Sequence, residues 1–145
     1  MRKLFNMSFG VLVAIQVILA ATVAAADTDT NLTVELNKFE TADSGECRAF
    51  FLFRNQTGKS FEEFEMSLAI LDGNGVIDRL LTIDAAPLPI SRTTLKLFEI
   101  PGISCDGISE ILLHAIDKCR PQNEDQIDCF PIINLVSRTP AQLVQ

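Results

Sequence analysis

One histidine, four cysteines and two groups of acids are the residues here whose types could support chemistry. His114 lies in the strand-like apolar run Ile111-Leu112-Leu113-His114-Ala115-Ile116. A proton shuttle needs a nucleophile or a carboxylate set beside it, and no motif announces one. His114 therefore reads as a partly exposed or hydrogen-bonded sheet residue. Asp72, Asp78 and Asp106 offer a different chemistry, that of a small hydrolase or carbohydrate-active domain, which needs two carboxylates converging in a cleft. No Gly-x-Ser-x-Gly, His-Glu-x-x-His or phosphate-cradling loop occurs in the chain.

Metal chemistry fares no better. Placing Gly75 of Asp72-Gly73-Asn74-Gly75-Val76-Ile77-Asp78 at the glycine of a calcium loop puts Ile70 at the first ligand position and Leu81 at the last. Both positions need carboxylates. Cys105, His114, Cys119 and Cys129 are zinc-type ligands, but they lack the close C-x-x-C pairs of common structural sites. The same lack argues against a thiol oxidoreductase. Neither a metal nor another cofactor is expected. Glu124, Asp125 and Asp128 read as a solvated acidic loop, and as the candidate interaction loop of the chain.

These residues have to be positioned by strands. In Phe61 to Ile83 the apolar residues Phe64, Met66, Leu68 and Ile70 alternate with Glu63, Glu65 and Ser67, the period of a half-buried strand. Asp72-Gly73-Asn74-Gly75 supplies a tight turn, and Val76 to Ile83 returns as the second arm of a hairpin. Leu32 to Phe39 alternates in the same way. Cys47 to Arg54 contains Ala49-Phe50-Phe51-Leu52-Phe53, apolar on both faces, which predicts a strand in the middle of a sheet. Three of the ten phenylalanines lie there, and a core explains them before a ligand surface does.

Asp84 to Ser91, with Pro87 and Pro89, predicts a crossing or an edge. Thr93 to Ile100 is the next strand, and Pro101-Gly102 breaks it. Ile108 to Ile116 fits either a helix or a strand, and the strand is preferred. Cys129 to Val136, interrupted by Pro131, is the last strand, and Ser137 to Gln145 reads as a tail. About seven short strands divided by turn signals predict an all-β, immunoglobulin-like antiparallel sandwich.

The first residues read as an export signal. Arg2 and Lys3 precede the uncharged apolar run Phe9 to Ala21, and Ala24-Ala25-Ala26 suits cleavage after Ala26. Residues 1–26 are thus the expected signal peptide, and 27–145 one β-sandwich domain. Thirteen apolar residues fall short of the roughly twenty that span a bilayer, so no stable membrane insertion is expected after cleavage.

Without Arg2 and Lys3, the 12 basic residues fall to 10 against 19 acidic ones, a net charge of −9. That argues against nucleic acid or an anionic membrane as a partner, because phosphate binding rests on Lys and Arg. Four cysteines, all after the signal, read as two disulfides in a periplasmic or secreted chain. Four cysteines allow three connectivities; in an immunoglobulin-like sandwich the second and fifth strands are antiparallel neighbours, which favours Cys47 with Cys105 over the other two. Cys119 and Cys129 would then face each other at the mouth of a hairpin of the sixth and seventh strands. Asn31-Leu32-Thr33 and Asn55-Gln56-Thr57 match the glycosylation acceptor pattern.

Leu68-Ala69-Ile70-Leu71-Asp72, with Gly75 and Val76 after it and Asn55, Thr57 and Gly58 before it, resembles the core motif of FxLYD-type immunoglobulin-like domains of bacterial envelope proteins. Ser91 to Phe98 is similar to that family's Ser/Thr-containing strand, while Leu68 and Leu71 stand where it has aromatics. The whole chain, through Cys47-Arg48-Ala49-Phe50 and Cys105-Asp106-Gly107-Ile108, is also similar to small uncharacterised alphaproteobacterial periplasmic proteins. The resemblance implies an envelope protein and brings no active site with it. The expectation is a non-enzymatic module, held by two disulfides, that binds an envelope protein or polymer through an exposed sheet edge.

Overall fold

The computed structural model describes residues 30–145. The expected signal peptide, 1–26, lies outside these residues. Eight strands form two four-stranded sheets packed face to face: β1 (Leu32–Thr41), β2 (Cys47–Asn55), β3 (Phe61–Asp72), β4 (Ile77–Asp84), β5 (Thr93–Ile100), β6 (Ile108–Pro121), β7 (Ile133–Ser137) and β8 (Gln142–Val144). Sheet I has the order β5-β2-β1-β7, and sheet II the order β4-β3-β6-β8. This is the expected immunoglobulin-like β-sandwich, antiparallel except where β1 meets β7 and β6 meets β8.

The period-2 pattern of β3 does what it predicts. Phe64, Met66, Leu68 and Ile70 are buried between the sheets. From β2, Phe51 and Phe53 enter the same core, and the Phe53 and Phe64 rings meet edge to face at 6.2 Å across it. The β3–β4 turn is held by the Asp72 carboxylate, which accepts from the Asn74 amide at 2.8 Å and the Val76 amide at 3.0 Å. Gly75 takes φ +74°, a conformation that costs glycine nothing. The proline-bearing segment after β4 is the crossing from sheet II to sheet I, and Ala85 and Leu88 anchor it in the core.

The segment Ile108 to Ile116 is a strand, extended to Pro121 as β6. Two expectations need correction. Ser137 to Gln145 is not wholly a tail, because Gln142–Val144 adds β8 parallel to β6. Nor do β6 and β7 form a hairpin. After a 3₁₀ turn at Phe130–Ile132, which holds Pro131, the chain changes sheets and β7 pairs with β1. The Cys119–Cys129 bond forms as expected, with 6.2 Å between Cα atoms, but it closes a loop that leads between the sheets. Cys47–Cys105 also forms as expected, at 4.7 Å, with β2 and β5 antiparallel neighbours.

β4 and β5 are edge strands on the same side of the sandwich, and each turns one cation inward. Arg79 pairs in register with buried Ile70, and Lys96 with buried Phe51. The Lys96 ammonium donates to the Ala86 carbonyl at 2.9 Å. The Arg79 guanidinium lies against Gly102, at φ +75°, where a Cβ would come within 2.9 Å of it. An inward charge blocks the approach of a further strand.

The two disulfides enclose different lengths of chain, with separations of 58 and 10 residues. Loop-closure entropy then gives about 4 kcal/mol for the first and about 3 kcal/mol for the second. Urea unfolding should show the Cys47→Ala/Cys105→Ala variant less stable than Cys119→Ala/Cys129→Ala. The reverse order would mean that native contacts, not chain entropy, set the contribution of each bond.

Candidate interaction surface

Strand parity decides which side chains face outward. With Phe64, Met66, Leu68 and Ile70 inside, Ala69 and Leu71 must point out of sheet II, although both are apolar. In register, Ala69 is flanked by Leu80 of β4 and Leu112 of β6, and Leu112 by Val144 of β8. Leu80-Ala69-Leu112-Val144 is therefore an unbroken aliphatic row across all four strands. Leu71 and Ile77 begin the next row. Leu80 is 65% exposed and Ile77 57%, while Ala69 is 2% exposed between its larger neighbours.

The rim of this face is acidic. Glu110 pairs in register with Leu71, and Asp84 with Glu65. Asp117 accepts from the Ser67 hydroxyl at 2.5 Å. Glu65 is bound by Lys118 at 3.1 Å, a contact that raises the lysine pKa. Glu110, Asp84 and Asp117 form no ion pair among the described residues. His114 is the extra residue of a bulge in β6, opposite the step from Ser67 to Leu68, and is exposed at the border of the patch.

The outer face of sheet I is built differently. Phe50, Leu52, Leu95 and Leu97 line it, but ion pairs cross it: Lys38–Glu40, Arg48–Glu99 and Arg54–Glu35. Glu35 is only 3% exposed and accepts from Asn37 at 2.7 Å and from Arg54 at 3.1 Å. The Asn37 hydrogen bond, followed by that of Arg54, holds its carboxyl below the ordinary glutamate value. With its charge satisfied, Glu35 has a structural role.

The acids singled out for hydrolysis are not brought together. Asp72 is engaged by the turn, and the amides of Val76 and Asn74 lower its pKa. Asp78 pairs with Arg79 at 2.5 Å. Asp106 lines a cleft of about 360 Å³ with Phe39, Thr41, Cys105, Ile108 and Pro140, and neither Asp72 nor Asp78 lines it. The four sulfurs are bonded pairwise. Among the described residues no helix is long and apolar enough to cross a membrane.

The interaction loop expected from sequence is exposed from Gln122 to Asp128. It is closed by Cys119–Cys129, and the Ile127 amide donates to the Cys119 carbonyl at 2.9 Å. Glu124 is paired with Lys59 at 2.5 Å, and Asp128 accepts from the Phe130 amide at 3.0 Å. Of the three acids, Asp125 is the one that faces solvent without such a tie. Asn55 is no acceptor for a glycan. It is 1% exposed, and its amide nitrogen donates to the carbonyls of Lys59 at 2.7 Å and Leu88 at 2.9 Å.

The sheet II face escaped the sequence reading, yet it left a signal. Alternation fails at Leu68-Ala69-Ile70-Leu71, at Leu80-Leu81 and at Ile111-Leu112-Leu113, where both parities are apolar. In an outer strand such doubling means a second apolar face.

No family model matches the chain, and no curated protein matches it. Among solved structures the chain is similar to IrmA from Escherichia coli, at 13% identity and a TM-score of 0.56, over 72% of this chain and 90% of that one. The likeness is one of fold.

Two outcomes follow from the buried polar groups. Asn55→Ala should cost about 1–3 kcal/mol in chemical denaturation, because it strands carbonyls that now have donors. A change within error would show that water replaces the amide. Glu35, with its pKa lowered on folding, contributes stability above the ordinary value of 4.5 that is lost as pH falls through the folded-state value. Glu35→Gln should therefore flatten the acid limb of stability against pH. An unchanged limb would assign acid sensitivity to other carboxylates, such as Glu40 and Glu63, whose pKa values are also lowered.

Proposed function

We propose that this chain is an exported, non-enzymatic binding module that docks an envelope protein or polymer through the outer face of sheet II. The aliphatic row Leu80-Ala69-Leu112-Val144, extended by Leu71 and Ile77, carries this reading. An apolar patch of about a few hundred Å² is the ordinary size of the largest patch on a monomeric protein, and such patches often carry function. Two disulfides fit an oxidising compartment, as the signal-like residues 1–26 do, and support a periplasmic or secreted location. The resemblance of Leu68 to Asp72 to FxLYD-type envelope domains agrees with it.

A face, rather than an edge, suits the geometry. Arg79 and Lys96 guard the β4 and β5 edges. On the other side, β7 and β8 are joined by a short link in which the Ser137 hydroxyl donates to the Ala141 carbonyl at 2.6 Å. The disulfide-closed loop carrying Glu124, Asp125 and Asp128 is exposed and tied at both ends, which makes it the second candidate contact.

The test is capture under mild crosslinking from native envelope extract, with the oxidised chain as bait and three variants in parallel. Ile77→Ser/Leu80→Ser should lose a specific partner, whereas Glu124→Gln/Asp125→Asn/Asp128→Asn and Leu95→Ser should keep it. Ile77, Leu80 and Leu95 are all more than half exposed, and such surface positions tolerate substitution within about 0.5 kcal/mol each, so loss of capture would not reflect unfolding. Retention by the Ile77/Leu80 variant with loss by the loop variant would move the site to the loop.

A further inference from the structure

Taking the sheet II face as the docking site, we infer that its occupant is a protein segment with an aliphatic centre and a cationic rim, such as a basic amphipathic helix. Three observations lead there.

The first is the chemistry of the patch. Its side chains are leucine, isoleucine, valine and alanine, and the chain contains neither tryptophan nor tyrosine. The large flat rings with polar tips that sugar rings stack against are missing, so a polysaccharide finds little to hold. Branched aliphatic groups instead fit the leucine and valine side chains of another protein.

The second is charge. Glu110 lies on one side of the patch and Asp84 and Asp117 on the other; Asp84 shares the field of Lys118 across Glu65, whereas Glu110 and Asp117 have no ion pair among the described residues. A Lys- or Arg-rich rim on the occupant would complete these pairs. An anionic lipid surface would be repelled, and a second copy would set like charges against each other.

The third is size. Strands about 4.8 Å apart and two rows along them give a patch of a few hundred Å² at most. A stable dimer needs about 800 Å² from each partner. One helix, about 10 Å across, covers the row from Leu80 to Val144 in about three turns.

Fluorescence anisotropy with two labelled 18-residue peptides tests the inference. One carries leucine on one helical face and lysine on the other, and the second replaces each lysine by glutamate. The Leu/Lys peptide should bind the oxidised chain at least tenfold more tightly, and its affinity should fall as salt rises. Ile77→Ser/Leu80→Ser should abolish that binding, while Leu95→Ser on the opposite face should leave it intact. Glu110→Gln/Asp84→Asn/Asp117→Asn, which keeps the Asp84 and Asp117 acceptors, should bring the two peptides to similar affinity.

Equal binding of both peptides by the unaltered chain would leave the face standing and overturn its charge assignment. Binding of the Leu/Lys peptide that survives Ile77→Ser/Leu80→Ser would overturn the face itself, and the proposal with it. Absence of binding by either peptide, with folding verified by circular dichroism, would also overturn it.

Discussion

Where the two sheets meet, the Phe53 ring of β2 stands edge-on to the Phe64 ring of β3, and the remainder of the sandwich depends on that contact. Phe61 and Phe51 extend it on either side, each with its ring centroid 6.2 Å from a neighbour's. Once Phe64 is inside, the pleat dictates every other residue of β3. A slip of one position would bury Glu63, Glu65 and Ser67 and expose the core set, so register is held by a large penalty. The same parity forces Ala69 and Leu71 outward. The exposed aliphatic face is thus a consequence of how the core is filled, combined with a sequence that places apolar residues on the wrong parity for solvent.

That reasoning separates what local sequence carries from what it does not. The hairpin of β3 and β4 was legible because its signals are contiguous: alternation, then Asp72-Gly73-Asn74-Gly75, then a return. The disulfide partners were legible too, since the order of strands limits which cysteines can meet. The hairpin assumed for Cys119 and Cys129 was not correct, because β7 pairs in parallel with a strand a hundred residues earlier, and nothing near Ile133 announces it. β8 is three residues long and owes its existence to an open edge of β6. A glycosylation pattern at Asn55 was readable as letters, but burial and two backbone carbonyls decide its role. The doubled apolar runs of β3, β4 and β6 were present in the sequence, and only the register showed that their spare members form one surface.

Polar groups divide by a similar logic. Glu35 is buried and satisfied by Asn37 and Arg54, and Asp72 spends its carboxylate on a turn. Such groups shape the scaffold. Glu110 and Asp117 face outward around an apolar centre without an ion pair among the described residues, while Asp84 beside them accepts from the Ala86 amide and shares the field of Lys118. Arg79 and Lys96 are charges of a third kind, turned inward at edges that would otherwise accept another strand. The β4 and β5 margins are closed to growth, and the outer side of sheet II remains open.

β1 takes β2 on one flank and β7 on the other, with a side-chain contact between Thr33 and Asn134 that spans 101 positions. A chain that emerges N-terminus first produces β1 before any other strand, and β2 soon covers one of its flanks. The second flank has no partner until nearly all of the chain is out. Sheet I cannot be completed piecemeal, and the strand made first waits longest for its second neighbour. Such distant pairing slows folding, because the entropy of closing a long loop is lost before the contact is gained. For this protein, the unprotected flank of β1 is the place where a chaperone would have most to guard during the wait.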